Sequence, residues 1–152
     1  MSMILFVCTG NLCRSPMAEG LLRQQLAQEG LDSRYDVASV GTWGVDGHPA
    51  SENSVTVMAE RGVDIAGHRA RTVTGGDVAE ADLILVMSRE HQHLLESSWP
   101  QYKWKMHRLS EMVGKRKDVR DPYGGPVEEY RACADILAGY VEQGLEKIIE
   151  LA

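Results

Sequence analysis

A cysteine and an arginine near the start of the chain are spaced for chemistry on a phosphate group. Cys8 and Arg14 bound a seven-residue segment that reads Cys-Thr-Gly-Asn-Leu-Cys-Arg, and Ser15 follows directly. A cysteine thiolate is a nucleophile, and the planar guanidinium group of arginine can bind two phosphate oxygens at once. Cys8 is therefore a candidate nucleophile, and Arg14 is a candidate ligand for the phosphoryl group.

The elements around this segment are those that an anion-binding loop needs. Met3–Cys8 is a continuous apolar run, typical of a central strand buried on both faces, and a helix is predicted from Pro16 to about Glu29. Backbone N–H groups at such a strand–loop–helix junction can surround an anion, which the helix dipole also favours. Gly10 and Asn11 tolerate the left-handed backbone angles that a tight loop requires.

Ser15 has two candidate roles at this junction. Its hydroxyl group can cap the helix, with Pro16 in the first turn, or it can donate a hydrogen bond to a Cys8 thiolate and stabilise it as a leaving group. The field of the helix N-terminus favours that thiolate. The alternative is a Cys8 that is only a buried strand-end residue, beside an Arg14 that is an ordinary surface cation.

A carboxylic acid far along the chain could complete the chemistry. Asp121-Pro122-Tyr123-Gly124 precedes the last predicted helix. Breaking a phosphate ester requires a proton on the leaving oxygen, and Asp121 could supply it as a general acid. Pro122 stiffens the segment, and Tyr123 offers an aromatic wall to a planar substrate. An ordinary Asp-Pro turn before a helix is the alternative.

Composition limits the class of protein. The chain has 152 residues, 43% hydrophobic and 25% charged, which predicts a single domain over residues 1–152. A formal net charge of −6 argues against general nucleic-acid binding. No apolar run is long enough for membrane insertion, and the first residues lack the features of a signal peptide, so a cytoplasmic location is expected. Three cysteines argue against a disulfide framework.

Strands and helices alternate along the chain, which predicts a small doubly wound α/β sandwich whose four-stranded parallel sheet is flanked by helices on both faces. Further strands are predicted at Tyr35–Val40, Asp82–Met87 and Tyr102–His107, the last at a sheet edge with its lysines facing out. Further helices are predicted at Ser51–Arg61 with a Ser51 cap, Asp77–Glu80, Ser88–Ser97 and Val127–Leu151. The last helix has a predicted core face of Tyr130, Ala134, Leu137, Val141, Leu145 and Ile148.

The motifs resemble those of the low-molecular-weight protein tyrosine phosphatases of the bacterial type. These enzymes carry C-x5-R-S near the N-terminus and Asp-Pro near the C-terminus. The resemblance covers the whole chain, in the order FVCTGNLCRSPMAEGLL, SVGTWG, HRARTVT, ADLILVM and RDPYGG. It implies that Cys8 attacks phosphorus in line to give a phosphocysteine, and that Asp121 protonates the tyrosine oxygen and then acts as a base towards water.

The resemblance also assigns supporting residues. It implies phosphate binding and loop support by Thr9, Gly10, Asn11, Leu12, Cys13, Arg14, Ser15 and His68, with His68 buttressing Asn11. Trp43 and Tyr123 resemble the aromatic walls of the substrate cleft. Neither a metal ion nor another cofactor is implied. The implied partners are a phosphotyrosine-containing protein and a cognate tyrosine kinase. Cys13 either forms a reversible disulfide with Cys8 or is a packing residue, and both readings stay open.

Two other functions are open on the same scaffold. Arginine phosphatases are similar but carry Thr where this chain has Leu12, and an apolar Leu12 suits an aryl ring better than a guanidinium group. A phosphate-binding module without turnover would share the loop, but it would need no acid such as Asp121. Phosphotyrosine hydrolysis is therefore favoured over both.

A few residues fall outside these roles. Many members of the family carry Asp where this chain has Ser88, which puts the support of the Asp121 loop in question. His91 and His93 are two apart on a predicted helix, so they form a poor metal pair and are predicted to be surface residues. Cys133 is predicted to be a packing residue of the last helix.

Overall fold

The computed structural model describes residues 1–152 and confirms the predicted α/β fold. The strands are β1 (Ser2–Cys8), β2 (Tyr35–Gly41), β3 (Leu83–Val86) and β4 (Met106–Arg108). The α-helices are α1 (Arg14–Gln28), α2 (Glu52–Glu60), α3 (Gly75–Glu80), α4 (Arg89–Ser98) and α5 (Val127–Leu151). Two 3₁₀ helices, Pro100–Lys105 and Leu109–Val113, flank β4.

The order of the strands places a crevice at the end of β1. The sheet order is β2-β1-β3-β4, and every neighbouring pair is parallel. The chain leaves β1 for β2 on one side and later enters β3 on the other, so the strand order reverses at β1. In open parallel sheets ligands bind beyond the carboxyl ends of the strands at this point. The residues after Cys8 are therefore at the expected place for a site.

Side chains of β1 alternate between two cores. Ile4 and Phe6 pack in a large cluster with residues of α1, α2 and α5, whereas Leu5 and Val7 pack in a smaller cluster with residues of α3 and α4. Because both faces of the strand are covered, its sequence is continuously apolar instead of alternating. The predicted sandwich, with helices on both faces of the sheet, is confirmed.

Helix α5 has the bounds that the sequence predicts. Five of the six predicted core residues are buried, and Leu145 is half-buried against the same cluster. Pro126 precedes the helix, where the ring of a proline costs no intrahelical hydrogen bond. No helix of the protein combines the length and the apolar composition that crossing a bilayer requires.

The predicted edge strand over Tyr102–His107 is wrong in most of its length. Pro100–Lys105 forms a 3₁₀ helix, and only Met106–Arg108 joins the sheet. Lys105, predicted to face the solvent, is 4% exposed, whereas Trp104, on the other side of the predicted alternation, is 72% exposed. The proline at the first position supplies a φ that suits a helical turn, and this turn inverts the predicted facing.

The buried Lys105 replaces missing backbone hydrogen bonds at the end of α3. Its Nζ donates to the carbonyl oxygens of Ala79 and Ala81 and lies 4.4 Å from the ring centroid of Tyr102. The carbonyl groups at the end of a helix have no partner within it, so a lysine can supply one. A local pattern of alternating residues cannot reveal such a partner.

Candidate active site

The loop between β1 and α1 is held open by Asn11. Asn11 is fully buried and has a φ of 60°, the only positive φ among the non-glycine residues. Its Nδ2 donates to the Oγ atoms of Ser15 (2.8 Å) and Ser39 (3.1 Å), and its Oδ1 accepts from the backbone N–H of Arg71 (3.0 Å). Gly10 has no positive φ. The left-handed angle is thus confined to Asn11, whose side chain offsets its cost with three hydrogen bonds.

The carbonyl oxygens of the loop are all bonded to surrounding segments. Those of Cys8, Thr9 and Gly10 accept from the N–H groups of Thr42, Trp43 and Val45 at 2.8, 3.0 and 3.1 Å. Farther along the loop, Asn11 O accepts from His68 Nε2 at 2.8 Å, and Leu12 O accepts from Ser51 N at 2.9 Å. In a trans peptide the N–H group points opposite to the C=O group. The N–H groups of residues 10–13, which donate no hydrogen bond within the protein, therefore face away from these segments, as an anion-binding loop requires.

Gly41 allows β2 to approach the back of the loop. A Cβ atom at this position would lie 2.3 Å from Thr9 O and 3.0 Å from Asn11 N. Contacts below 3.0 Å are essentially absent from real structures. Only glycine therefore fits here without moving the loop.

Ser15 contacts the sulfur of Cys8. The distance from Cys8 Sγ to Ser15 Oγ is 2.9 Å, and Ser15 Oγ already accepts from Asn11 Nδ2. The Ser15 hydroxyl hydrogen is therefore free to point at the sulfur, since its other acceptor, Val40 O, lies farther away at 3.4 Å. Helix α1 begins without a side-chain cap. Of the two roles open to Ser15, the structure shows the contact with Cys8 and not the cap.

Arg14 is buried at the side of the loop. It is 5% exposed, so the reading of Arg14 as a surface cation is wrong. Its Nη1 donates to Val119 O at 2.9 Å, and its Nη2 donates to Thr9 Oγ1 at 3.3 Å and lies 3.5 Å from Asp121 Oδ2. Its Nε is buried without a partner. A buried donor without a partner is costly, so this N–H is suited to an incoming anion.

Asp121 reaches the same cleft from the opposite end of the chain. Its Oδ1 accepts from the backbone N–H of Tyr123 at 3.1 Å, which orients the carboxyl group, and the side chain is 47% exposed. Exposure lets this carboxyl group exchange protons with water, as a general acid and base must do.

The segment before Asp121 is attached to the end of β3 without help from Ser88. The backbone N–H of Val119 donates to Met87 O at 2.8 Å, and the backbone N–H of Arg89 donates to Asp118 Oδ1 at 2.9 Å. Ser88 makes its hydrogen bonds within α4 instead. The replacement of Asp by Ser at this position therefore leaves the loop anchored, because the backbone of Val119 and the carboxylate of Asp118 hold it.

The cleft above the loop has a volume of about 370 Å³ and mostly apolar walls. Trp43 and Tyr123 both line it and are 80% and 66% exposed, so they are not core residues. Leu12 and Val45 also line it, together with Cys8, Arg14 and Asp121. A planar apolar group with a phosphate at its end matches this combination of walls and loop.

The other two cysteines are packed thiols. All three cysteines are free. Cys13 Sγ lies 3.2 Å from Ser51 Oγ and 3.7 Å from the hydroxyl oxygen of Tyr130, and burial raises the pKa of Cys13. Burial also raises the pKa of Cys133 to about 12, so both are protonated at neutral pH.

The predicted Ser51 cap of α2 is wrong, because its hydroxyl group bonds side chains and not the helix N-terminus.

His91, predicted to be a surface residue, is 4% exposed, and that prediction is wrong. Its Nε2 lies 2.8 Å from Thr9 Oγ1 and its Nδ1 lies 2.8 Å from Ser88 Oγ, so it touches the loop between β1 and α1. His93, which is also predicted to be a surface residue, is exposed. His91 lies four residues before the buried Leu95 on the same helix face, and this spacing could have predicted the burial of His91.

A loop of unpaired N–H groups around a cysteine and an arginine, below an apolar cleft, is typical of phosphatases. Comparison with known proteins then gives the family. The model of the low molecular weight phosphotyrosine protein phosphatases matches residues 3–150, and the chain belongs to this family. No group of three or more His, Cys, Asp or Glu side chains is arranged to hold a metal ion.

Proteins named for two different substrates are similar to this chain along nearly its whole length. A probable low molecular weight protein-tyrosine-phosphatase of Ralstonia nicotianae is 38% identical and covers 95% of this chain and 94% of its own. A protein-arginine-phosphatase of Geobacillus stearothermophilus is 36% identical and covers 95% of both. The crystal structure of a low molecular weight protein tyrosine phosphatase from T. tengcongensis has a TM-score of 0.91 at 41% identity, covering 97% of this chain and 99% of that one. The chain is thus an enzyme of this phosphatase class.

Proposed function

We propose that the protein removes phosphate from tyrosine side chains of proteins through a phosphocysteine intermediate, and that residues 1–152 form a single phosphatase domain. Cys8 is the nucleophile, Arg14 binds the phosphoryl group, and Asp121 is the general acid and then the general base. The observation that carries the proposal is the meeting of these three groups at a loop whose N–H groups are unpaired within the protein. The loop residues Thr9, Gly10, Asn11, Leu12 and Cys13 supply the backbone of this phosphate site.

In the first step the Cys8 thiolate attacks phosphorus, and the bond from phosphorus to the tyrosine oxygen breaks. Asp121 gives its proton to that oxygen, which leaves as neutral tyrosine. The equatorial phosphate oxygens accept from the N–H groups of the loop and from the unpaired Nε–H of Arg14. Charge that develops on these oxygens is stabilised by donors already in place.

In the second step the roles reverse. The Asp121 carboxylate takes a proton from a water molecule, the water oxygen attacks phosphorus, and the bond from sulfur to phosphorus breaks. The Ser15 hydroxyl group, 2.9 Å from Cys8 Sγ, stabilises the departing thiolate. Asn11 and His68 keep the loop in shape through both steps. The chain supplies every group that the two steps need, so the proposal includes no cofactor.

The cleft favours an aryl phosphate. Trp43 and Tyr123 border the site and Leu12 offers an apolar contact, so a tyrosine ring is bound while its phosphate reaches the loop. Phosphoserine has a much shorter stem, which leaves its phosphate short of the loop or its backbone in collision with the walls. We therefore expect phosphotyrosine to be hydrolysed much faster than phosphoserine.

A protein arginine phosphatase is the second candidate, because a relative named for that activity is 36% identical over 95% of the chain. The apolar Leu12 opposes it, since a guanidinium group bound there loses hydrogen bonds to water without gaining one. Turnover of phosphotyrosine, phosphoserine and phosphoarginine peptides in one assay decides between them. A large preference for phosphoarginine would replace the proposed substrate.

The mechanism is tested by exchanging single cysteines. Cys8→Ser should abolish phosphate release from a phosphotyrosine peptide in the presence of a chelator, whereas Cys133→Ser, a matched change at a buried thiol, should leave most of it. Retained turnover in Cys8→Ser would refute the mechanism. Steady release over many turnovers by the unmodified enzyme would dismiss the alternative of a phosphate-binding module.

The partners that follow from the proposal are phosphotyrosine-containing proteins of the cytoplasm and a tyrosine kinase whose product the enzyme removes. The proposal involves neither nucleic acid nor insertion into a membrane. Dephosphorylation of an autophosphorylated tyrosine kinase by the purified enzyme, compared with Cys8→Ser, is the direct test.

A further inference from the structure

His91 links the N-terminus of α4 to the loop of residues 9–13 between β1 and α1, the phosphate loop of the proposed function. It is buried between Ser88, which precedes the helix, and Thr9, which follows the nucleophile in the loop. Both ring nitrogens are used, each at 2.8 Å from a hydroxyl oxygen. The proposed mechanism gives this imidazole no role.

We assign the direction of each bond from the hydrogens available. Ser88 Oγ accepts from the backbone N–H of His91 at 3.2 Å, and the one protein acceptor within reach of its own hydrogen is His91 Nδ1. Nδ1 is then the acceptor and Nε2 carries the hydrogen, which it donates to Thr9 Oγ1. Thr9 Oγ1 also accepts from Arg14 Nη2 at 3.3 Å, so the Thr9 hydroxyl hydrogen is left for the cleft that Thr9 lines.

The charge of the ring is set by its neighbours. Burial and the adjacent Arg14 lower the pKa of His91 to about 4, and the carboxyl groups of Asp118 and Asp121 act in the opposite direction without overcoming them. The ring is therefore neutral at physiological pH. A neutral donor can hold Thr9 without repelling the guanidinium group beside it.

We propose that His91 is a positioning residue, which fixes Thr9 Oγ1 by a hydrogen bond from Nε2 and through it holds Arg14 in place to bind the phosphoryl group. Arg14 is otherwise anchored by Val119 O through Nη1, while the orientation of its Nη2 edge depends on Thr9 and the half-exposed Asp121. Ser88 orients the imidazole. This inference rests on the proposed phosphatase function and adds residues to its site.

A double-mutant cycle tests the link. We expect His91→Leu to lower kcat/KM for p-nitrophenyl phosphate about tenfold, and to weaken inhibition by inorganic phosphate by a similar factor, as for the loss of one hydrogen bond at a charged site. Thr9→Val should have a similar effect, and the double variant should be no worse than Thr9→Val alone. His91→Gln, whose amide N–H can reach Thr9, should restore most of the activity. His93→Leu, on the exposed side of the same helix, is the control.

The outcomes separate this inference from the proposed function. No turnover by the unmodified enzyme would end the proposed function. If His91→Leu leaves turnover unchanged, the role of His91 is overturned. It is also overturned if the losses of the two single variants multiply in the double variant. The proposed function is unaffected in both cases. If His91→Leu does not fold, ¹⁵N NMR of the unmodified protein at pH 6 decides. A neutral ring with its proton on Nε2 supports the role, whereas a proton on Nδ1 or a protonated ring contradicts it.

Discussion

Adding one methyl group behind the phosphate loop should separate catalysis from folding. In Gly41→Ala the new Cβ would lie 2.3 Å from Thr9 O, where real contacts stay above 3.0 Å. The obstacle is backbone, and it is tied to Trp43 N by a hydrogen bond of 3.0 Å, so it cannot rotate away as a side chain would. The loop or β2 must move by at least about 0.7 Å.

The expected loss of activity in Gly41→Ala is larger than the expected loss of stability. A reacting group misplaced by about 1 Å costs about 10²-fold in rate, and we expect a loss of this order in kcat/KM for a phosphotyrosine peptide. Overpacking in a well-packed region costs about 1–3 kcal/mol of unfolding free energy, which leaves a stable domain folded. The loss of activity should therefore be measured on folded protein, together with weaker inhibition by inorganic phosphate.

Gly139→Ala is the matched control, because a Cβ at this position in α5 meets nothing within 4 Å. It should keep full activity and raise the unfolding free energy by about 0.5–1 kcal/mol, as expected for replacing glycine inside a helix. Steady-state kinetics and urea unfolding are measured on both variants. Wild-type kcat/KM and phosphate inhibition in Gly41→Ala would refute the inference that this contact shapes the loop.

Three further predictions concern the acid, the substrate and pH. Asp121→Asn should lower kcat about 10²–10⁴-fold on a phosphotyrosine peptide, measured as phosphate release, and an unchanged kcat would remove Asp121 from the mechanism. Leu12→Thr should shift a competition assay towards the phosphoarginine peptide, because a hydroxyl group can bond a guanidinium group; an unchanged ratio would place substrate choice elsewhere. The unfolding free energy should fall by up to about 3 kcal/mol between pH 6.5 and about 4, since the unfolded state binds a proton that folded His91 beside Arg14 does not. Urea unfolding should show this loss reduced in His91→Gln but not in His93→Gln, and equal slopes would contradict it.

Features encoded by contiguous residues could be predicted from the sequence. The phosphate loop is one unbroken segment, so its strand, turn and helix are all visible in the order of the residues. Helix α5 repeats its apolar positions from Tyr130 to Ile148, and this gave both its bounds and its buried face. The parallel sheet with helices on both faces followed from the alternation of strands and helices, whereas the order of its strands did not.

Features that depend on residues far apart in the chain could not be predicted from the sequence. The pairing of β2 with β1 sets Gly41 opposite Cys8, and no local pattern encodes that register. Lys105 and His91 are polar residues, which are usually exposed, and each is buried because a carbonyl or hydroxyl oxygen from another segment meets it. The same holds for Arg14, whose burial depends on Val119.

Two residues of the cleft wall, Trp43 and Val45, are hydrogen-bonded to the loop between β1 and α1 through main-chain atoms. Trp43 and Val45 hold Thr9 and Gly10 with their N–H groups, while their side chains line the substrate cleft. A substitution that changes only these side chains therefore leaves both main-chain hydrogen bonds in place. The shape of this side of the cleft can thus change while the bonds that hold Thr9 and Gly10 persist.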